Sequence, residues 1–402
     1  MIAEFKPCRL YGRIDAPPSK SMAHRYLIGA ALSREVCTLT GVDFSEDILA
    51  SIDCLRALGA RVTVVGDRVE VDGREFLRVE PSILECRESG STLRFFLPLT
   101  LCLGKKTVFR GSERLLSRPL GVYEELCRER GFLFEREGGS LTVSGRLESG
   151  SYPLRGDVSS QFITGMLFAL VYLGGNAEIR ILPPFESRSY IDLTLAALRS
   201  FGASVAFEGE YCLKVKKAPL HSYSGRIEGD YSNAAFLAAF GCLGSRVEIG
   251  NLLPDSLQGD RVYGTFFEKL REGIPTLDIS DCPDLGPVLM AVAALHHGAV
   301  FTGTDRLRAK ESDRGEAMKA ELEKLGGEVL IGENRITVIH KPLIYRGEML
   351  SGHNDHRIVM AMSVILSQTG GAIAGAEAIK KSYPGFFADI KKLGAEVELY
   401  DR

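Results

Sequence analysis

Two kinds of apolar pattern alternate along the chain. In the first, apolar residues cover nearly the whole helical wheel, over residues 19–33, 89–104, 159–175, 231–244, 283–298 and 354–370. A helix with no polar face belongs inside a core, so six buried helices are predicted. In the second, the apolar residues form a stripe. Over residues 45–59, Ile48, Ile52, Leu55 and Leu58 share one face and acids occupy the first turn, which predicts an amphipathic surface helix. Helices of this second kind end near Gly59, Gly131, Gly202, Gly273, Gly326 and Gly394, each before a strand-like segment such as Ala203-Ser204-Val205. The glycines recur at roughly 50 to 75 residues, a regular array that points to duplication. The predicted unit is strand, buried helix, strand, amphipathic helix, strand, used six times in an α/β chain.

The buried helices begin alike. Their starts carry Ser19-Lys20-Ser21, Ser89-Gly90-Ser91, Ser159-Ser160-Gln161, Asp230-Tyr231-Ser232, Asp284 and Asp355-His356-Arg357. Ser and Asp there satisfy orphan backbone N–H groups. Capping has no use for Lys20, Arg25, Gln161, His356 or Arg357. Cations beside free N–H groups at the positive end of a helix are what a phosphate or carboxylate needs. If three buried helices bundle in each half, their six starts face one another across a cleft.

Amphipathic helices also open on charge, at Ser117-Arg118-Pro119, Ser187-Arg188-Ser189-Tyr190, Lys310-Glu311-Ser312-Asp313-Arg314 and Lys380-Lys381-Ser382. Asp313, Glu316 and Lys319 read as a solvated ion-pair face. Lys310 and Arg314, four apart, are expected on the first turn of a helix beside Glu311. Cations there oppose the helix dipole, a misplacement that a bound anion would offset.

Composition narrows the class. The 402 residues exceed one ordinary core, so at least two domains are expected. Arg13-Ile14-Asp15 resembles Arg226-Ile227-Glu228, and Lys216-Lys217-Ala218-Pro219 before the second copy reads as a linker. The expected domains are residues 15–227 and residues 1–14 plus 228–402. A formal charge of −3 gives no global basic field, which argues against nucleic acid as partner. Anion sites must then be local concentrations of Lys and Arg. The nine cysteines form no C-x-x-C pair and suit a reducing compartment. With no signal-peptide pattern and no membrane-length apolar run, a cytoplasmic location is expected.

Residues 17–25, Pro-Pro-Ser-Lys-Ser-Met-Ala-His-Arg, resemble the N-terminal signature of the 5-enolpyruvylshikimate-3-phosphate synthase family of enolpyruvyl transferases. The resemblance continues through Glu88-Ser89-Gly90-Ser91-Thr92-Leu93-Arg94, Arg118-Pro119, Val158-Ser159-Ser160-Gln161-Phe162 and Ser187 with Tyr190-Ile191-Asp192. It goes on through Glu228-Gly229-Asp230, Asp284, Lys310-Glu311-Ser312-Asp313-Arg314, Asn354-Asp355-His356-Arg357 and Lys381, in the family's order over nearly the whole chain. Pro18, Glu88 and Arg306 depart from the residues the family often has there. The resemblance implies a two-domain inside-out α/β barrel with three repeats per domain, closing over its substrates. It implies transfer of the enolpyruvyl group of phosphoenolpyruvate to the 5-hydroxyl of shikimate 3-phosphate, with phosphate released. This is a step of the shikimate pathway of aromatic amino acid biosynthesis.

By the same resemblance, Lys20, Ser21, Arg25, Ser159, Ser160, Gln161, Ser187, Tyr190, Asp284 and Lys310 hold shikimate 3-phosphate. Lys20, Gly90, Arg118, Gln161, Arg314, Arg357 and Lys381 hold phosphoenolpyruvate. Asp284 is the expected base for the hydroxyl, and Glu311 exchanges a proton at the methylene with Lys20 and His356 assisting. Acid–base groups and charge stabilisation suffice for this chemistry, so no metal or organic cofactor is expected. The expected partners are the two anionic small molecules, with no nucleic acid or membrane, and the chain is expected to be a monomer.

Three other functions use related features. Enolpyruvyl transfer to a UDP-linked amino sugar lacks the Lys-Glu-Ser-Asp-Arg and Ser-Ser-Gln blocks. RNA 3′-phosphate cyclisation needs a nucleotide site, and no Walker-type run is present. A non-catalytic anion binder has no use for Asp284 and Glu311, because carboxylates weaken anion binding.

Overall fold

The structure, a computed structural model, describes residues 1–79 and 83–401. The chain folds as two compact units, one of Pro18–Glu228 and one of Met1–Pro17 with Gly229–Arg402. The fold is mixed α/β.

The six all-apolar segments form helices. In the continuous unit they are Lys20–Leu32, Gly90–Leu101 and Ser160–Leu173; in the other they are Tyr231–Gly241, Gly286–Leu295 and His356–Thr369. Side chains all round them are buried, as Phe162, Ile163, Met166, Leu167 and Leu170 show for one. Each such Leu or Phe contributes about 1.5–3 kcal/mol by leaving water. Helices Gly90–Leu101 and Ser160–Leu173 come so close that a Cβ on Gly165 would lie 2.2 Å from the carbonyl oxygen of Arg94. Only glycine fits there. Striped helices such as Glu46–Ala57 and Arg188–Ser200 keep one face toward solvent.

Among the described residues, the sheets are open rather than the closed barrels expected. Each unit has separate small sheets, mostly of four strands, such as Ser151–Arg155, Ala177–Leu182, Cys212–Lys216 and Ser204–Phe207 in spatial order. Four strands are too few to curl round a filled interior, for which about eight are needed. The first two strands of that sheet run parallel, with Tyr152 opposite Ile179, and the remaining pairs are antiparallel, with Val205 opposite Val215. Along Ala177–Leu182 the side chains alternate between core and surface, so the buried helices pack on one face only.

The three-strand unit read from the sequence is also one strand short. After the amphipathic helix the chain makes a hairpin, as in Leu133–Glu137 with Ser140–Ser144 and Glu328–Gly332 with Arg335–Ile339. One sheet of the discontinuous unit closes this hairpin differently. There Ile2–Phe5, from the start of the chain, lies between Gly371–Ala374 and Val397–Tyr400. Strand Tyr11–Asp15 then pairs with Arg246–Gly250 in the same unit, while Ser224–Arg226 pairs with Val36–Thr40 in the other. The Ser19 N–H donates to the Glu228 carbonyl at 2.7 Å, and the Asp230 N–H donates to the Pro17 carbonyl at 2.7 Å.

Candidate active site

In the continuous unit, helix Lys20–Leu32 starts where two prolines hold the chain extended and Ser19 accepts the Met22 N–H. Lys20 is the first helical residue, and its Nζ lies 2.8 Å from Asp47 Oδ2. One turn on, Arg25 is buried. Its guanidinium donates to Thr194 Oγ1 at 2.8 Å, the Ser21 carbonyl at 2.6 Å and the Tyr190 carbonyl at 3.0 Å. Loss of solvation pushes Arg25 down to about 10, against the pull of Tyr190. These bonds bring Ser21, Arg25 and Tyr190 together. Ser187, buried and left-handed at φ 54, immediately precedes helix Arg188–Ser200, which carries Tyr190 and Thr194.

A second group in this unit gathers around Gly90. A Cβ there would lie 2.7 Å from Arg118 Nη1 and 2.8 Å from Arg94 Nη1, so the missing side chain leaves room for two guanidinium groups. Arg94 donates to Gln161 Oε1 at 2.7 Å and to the Pro119 carbonyl at 3.0 Å, and Gln161 Nε2 donates to Ser91 Oγ at 2.9 Å. Ser159 caps helix Ser160–Leu173 by accepting the Gln161 N–H, which puts Ser159, Ser160 and Gln161 on one helix start. Arg118 is buried in the chain between helices Glu113–Ser117 and Gly121–Arg130.

The discontinuous unit contains a denser network around Asp284. Asp284 Oδ1 accepts from Lys310 Nζ at 3.0 Å and Arg314 Nη1 at 2.8 Å, while Oδ2 accepts from Arg357 Nη2 at 3.0 Å. Burial alone would raise its proton affinity. Arg357, Lys310 and Arg314 outweigh burial and hold the carboxyl well below the usual range. Arg314, only 1% exposed, also donates from Nη2 to Glu311 at 2.7 Å and from Nε to Asp355 Oδ2 at 2.9 Å. Its three carboxylate partners raise its proton affinity despite burial. Lys310 goes the other way: loss of solvation, only partly offset by Asp284, pushes it down to about 8. His356, the first residue of helix His356–Thr369, is buried with Nδ1 3.8 Å from Asp355 Oδ1. Lys381 Nζ donates to the Asn354 carbonyl at 2.5 Å.

One expectation fails here. Lys310 and Glu311 do not sit on the first turn of a helix. Asp313 wins the N-cap by accepting the Glu316 N–H, so helix Arg314–Lys324 begins four residues after Lys310, which has extended backbone at φ −88 and ψ −163. Arg314 alone faces the helix dipole, and the three carboxylates around it offset that placement.

Sequence reasoning also passed over functional neighbours. Arg94 stands in an otherwise apolar helix, a signal that was present. Asp47, in sequence an ordinary acid of a first turn, holds Lys20. Asp260, buried near Asp284, is pushed up to about 6 by burial first and by the Asp284 charge second, and Ser232 donates to it. No group of His, Cys, Asp and Glu suited to a metal ion occurs among the described residues. What remains is a set of buried cations interleaved with carboxylates, able to bind small anions and move protons.

Comparison with known proteins agrees in kind. A family profile described as EPSP synthase (3-phosphoshikimate 1-carboxyvinyltransferase) matches residues 5–390. The chain is similar to a 3-phosphoshikimate 1-carboxyvinyltransferase of Clostridium kluyveri, at 40% identity over 98% of this chain and 97% of the relative. A Clostridium novyi protein of the same name is 36% identical over the same shares. Among solved structures, an EPSP synthase from Acinetobacter baumannii superposes with a TM-score of 0.78 at 22% identity, covering 100% of both chains. That last likeness concerns the fold.

Proposed function

The chain belongs to the EPSP synthase family, and from that premise we propose how its residues divide the work. Its reaction is transfer of the enolpyruvyl group of phosphoenolpyruvate to the 5-hydroxyl of shikimate 3-phosphate, releasing phosphate, in the shikimate pathway. In our reading Lys20, Ser21, Arg25, Ser159, Ser160, Gln161, Ser187 and Tyr190 of the continuous unit hold shikimate 3-phosphate, joined by Asp284 and Lys310. Arg314, Arg357 and Lys381 of the discontinuous unit hold phosphoenolpyruvate, with Lys20, Gly90, Arg118 and Gln161. Turnover then needs groups from both units.

The Asp284 network is the observation that carries this assignment. Three cations meet one part-buried carboxylate, and anionic groups of the substrate can compete for those cations. As they do so, Asp284 regains proton affinity and accepts the hydroxyl proton while oxygen bonds to C2 of phosphoenolpyruvate. The methylene carbon takes a proton from Glu311, assisted by Lys20 and His356, giving a tetrahedral adduct. In the second half the new methyl returns a proton to Glu311 as the C–O bond to phosphate breaks. Cations around the leaving phosphate stabilise its charge, and the proton held by Asp284 passes to that phosphate, so the balance closes without metal or organic cofactor.

The similar small sheets support descent from six duplicated units, three per domain. All nine cysteines are free thiols, which supports a reducing, cytoplasmic setting, and no helix among the described residues is long and apolar enough to cross a membrane. The proposed active species is the monomer. The test is phosphate release: it should require both substrates together and be unchanged by EDTA. Release with phosphoenolpyruvate alone, or loss of release on chelation, would overturn this reading.

A further inference from the structure

Helix Arg314–Lys324 grips a neighbouring segment at two points. At its first residue, Arg314 holds Asp355. Seven residues on, and so on the same helix face, stands Glu321, a carboxylate only 1% exposed. Its Oε2 accepts the Ser351 N–H at 2.9 Å and its Oε1 accepts from His353 Nε2 at 2.6 Å. Lys324 closes the group, donating to both Glu321 oxygens at 2.9 and 3.1 Å. Burial works against ionisation of Glu321, but His353, Lys324 and the Ser351 N–H outweigh it and hold the carboxyl below its ordinary value.

Residues 351–355 are short and conformationally unusual. His353 and Asn354 both sit in the left-handed region, at φ 49 and 52, which non-glycine residues keep only when their surroundings hold them. The same segment touches every phosphoenolpyruvate cation assigned to this unit. Its Asn354 carbonyl holds Lys381, its Asp355 carboxylate holds Arg314 and caps the helix start, and Arg357 follows two residues later.

We propose that Glu321 is a positioning residue for phosphoenolpyruvate, acting through Ser351 and His353 to fix the segment that orients Arg314, Arg357 and Lys381. The inference rests on the assignment of those three cations above. It distinguishes Glu321 from a merely structural ion pair, because its loss should move one substrate and spare the other.

The test is steady-state kinetics with each substrate varied in turn, on variants whose fold is checked by thermal melting. Glu321→Ala should raise the KM for phosphoenolpyruvate about tenfold, with the KM for shikimate 3-phosphate moving less than about twofold. Glu321→Gln keeps an acceptor for the Ser351 N–H and should recover most of that loss. His353 lies nearer the surface, so His353→Ala tests the same link without opening the core, with about a threefold rise expected. An unchanged KM for phosphoenolpyruvate in folded His353→Ala and Glu321→Ala would overturn the inference, as would equal losses for both substrates. Failure of the underlying assignment is separately visible: Arg357→Ala and Lys381→Ala would then leave the KM for phosphoenolpyruvate unchanged in a folded protein that still releases phosphate.

Discussion

Lys310 Nζ lies 3.0 Å from Asp284 Oδ1, an oxygen that also accepts from Arg314 at 2.8 Å. Lys310 therefore shares its counter-ion, and burial wins: its pKa falls from 10.5 to about 8. As pH rises through about 8, the ammonium becomes an amine and one cation of the site is lost. Affinity for shikimate 3-phosphate should then weaken above this point. Titration calorimetry between pH 6 and 10 should show the inflection, and Lys310→Arg should abolish it. For stability the sign is opposite. Between about 8 and 10.5 the unfolded chain binds the extra proton, so this group's contribution to stability rises across that window.

Glu311 accepts from Arg314 yet has no place in a pure anion site. Glu311→Gln keeps the shape and removes the titratable group. Turnover should fall about a hundredfold or more, the scale of a lost general acid or base, with shikimate 3-phosphate binding little changed. Near-normal turnover would leave Glu311 only a partner of Arg314.

At Gly90 the neighbours of an added methyl are guanidinium tips, 2.7 and 2.8 Å away, which can move without unfolding the helix. Gly90→Ala should therefore melt close to wild type and raise the KM for phosphoenolpyruvate. Arg118→Ala should raise it further while slowing the saturated rate less. If Gly90→Ala moves only the shikimate 3-phosphate KM, the assignment of Gly90 is wrong.

Asp260 is raised from 3.8 to about 6 by burial and Asp284. Its folded-state proton is a stabilising feature in full below about 3.8, and the contribution is lost as pH rises through about 6. Asp260→Asn mimics the protonated form, so calorimetry should find it gaining on wild type at pH 7.5 relative to pH 4.5. No change in that difference would mean Asp260 does not titrate in this window.

The helices were legible because burial all round, or along one stripe, writes itself into neighbouring residues. The hairpins were less so: Ser140–Ser144 buries only Leu141 and Val143, too few apolar positions to mark a strand. Pairing of Ile2–Phe5 with residues near the other end of the chain is decided by contacts that no local pattern encodes. In the site, the residue types were readable from their motifs, but their partners were not. Lys20 with Asp47 and Arg314 with Asp355 lie 27 and 41 residues apart. Helix Arg314–Lys324 starts later than the Lys310–Arg314 spacing suggests because Asp313 accepts the Glu316 N–H and so fixes the cap after Lys310 and Glu311.

The position of Ile2–Phe5 between strands from residues 371–374 and 397–400 sets an order for biosynthesis. Pro18–Glu228 is contiguous and can fold on the ribosome as soon as it emerges. Ile2–Phe5 is made before both of its partner strands, and its sheet is complete only when Val397–Tyr400 has been made. That strand must therefore wait, unpaired, until Gly371–Ala374 emerges. Carrying Ile2–Phe5 behind Val397–Tyr400 in a circular permutant would remove that wait, and the permutant should aggregate less during synthesis.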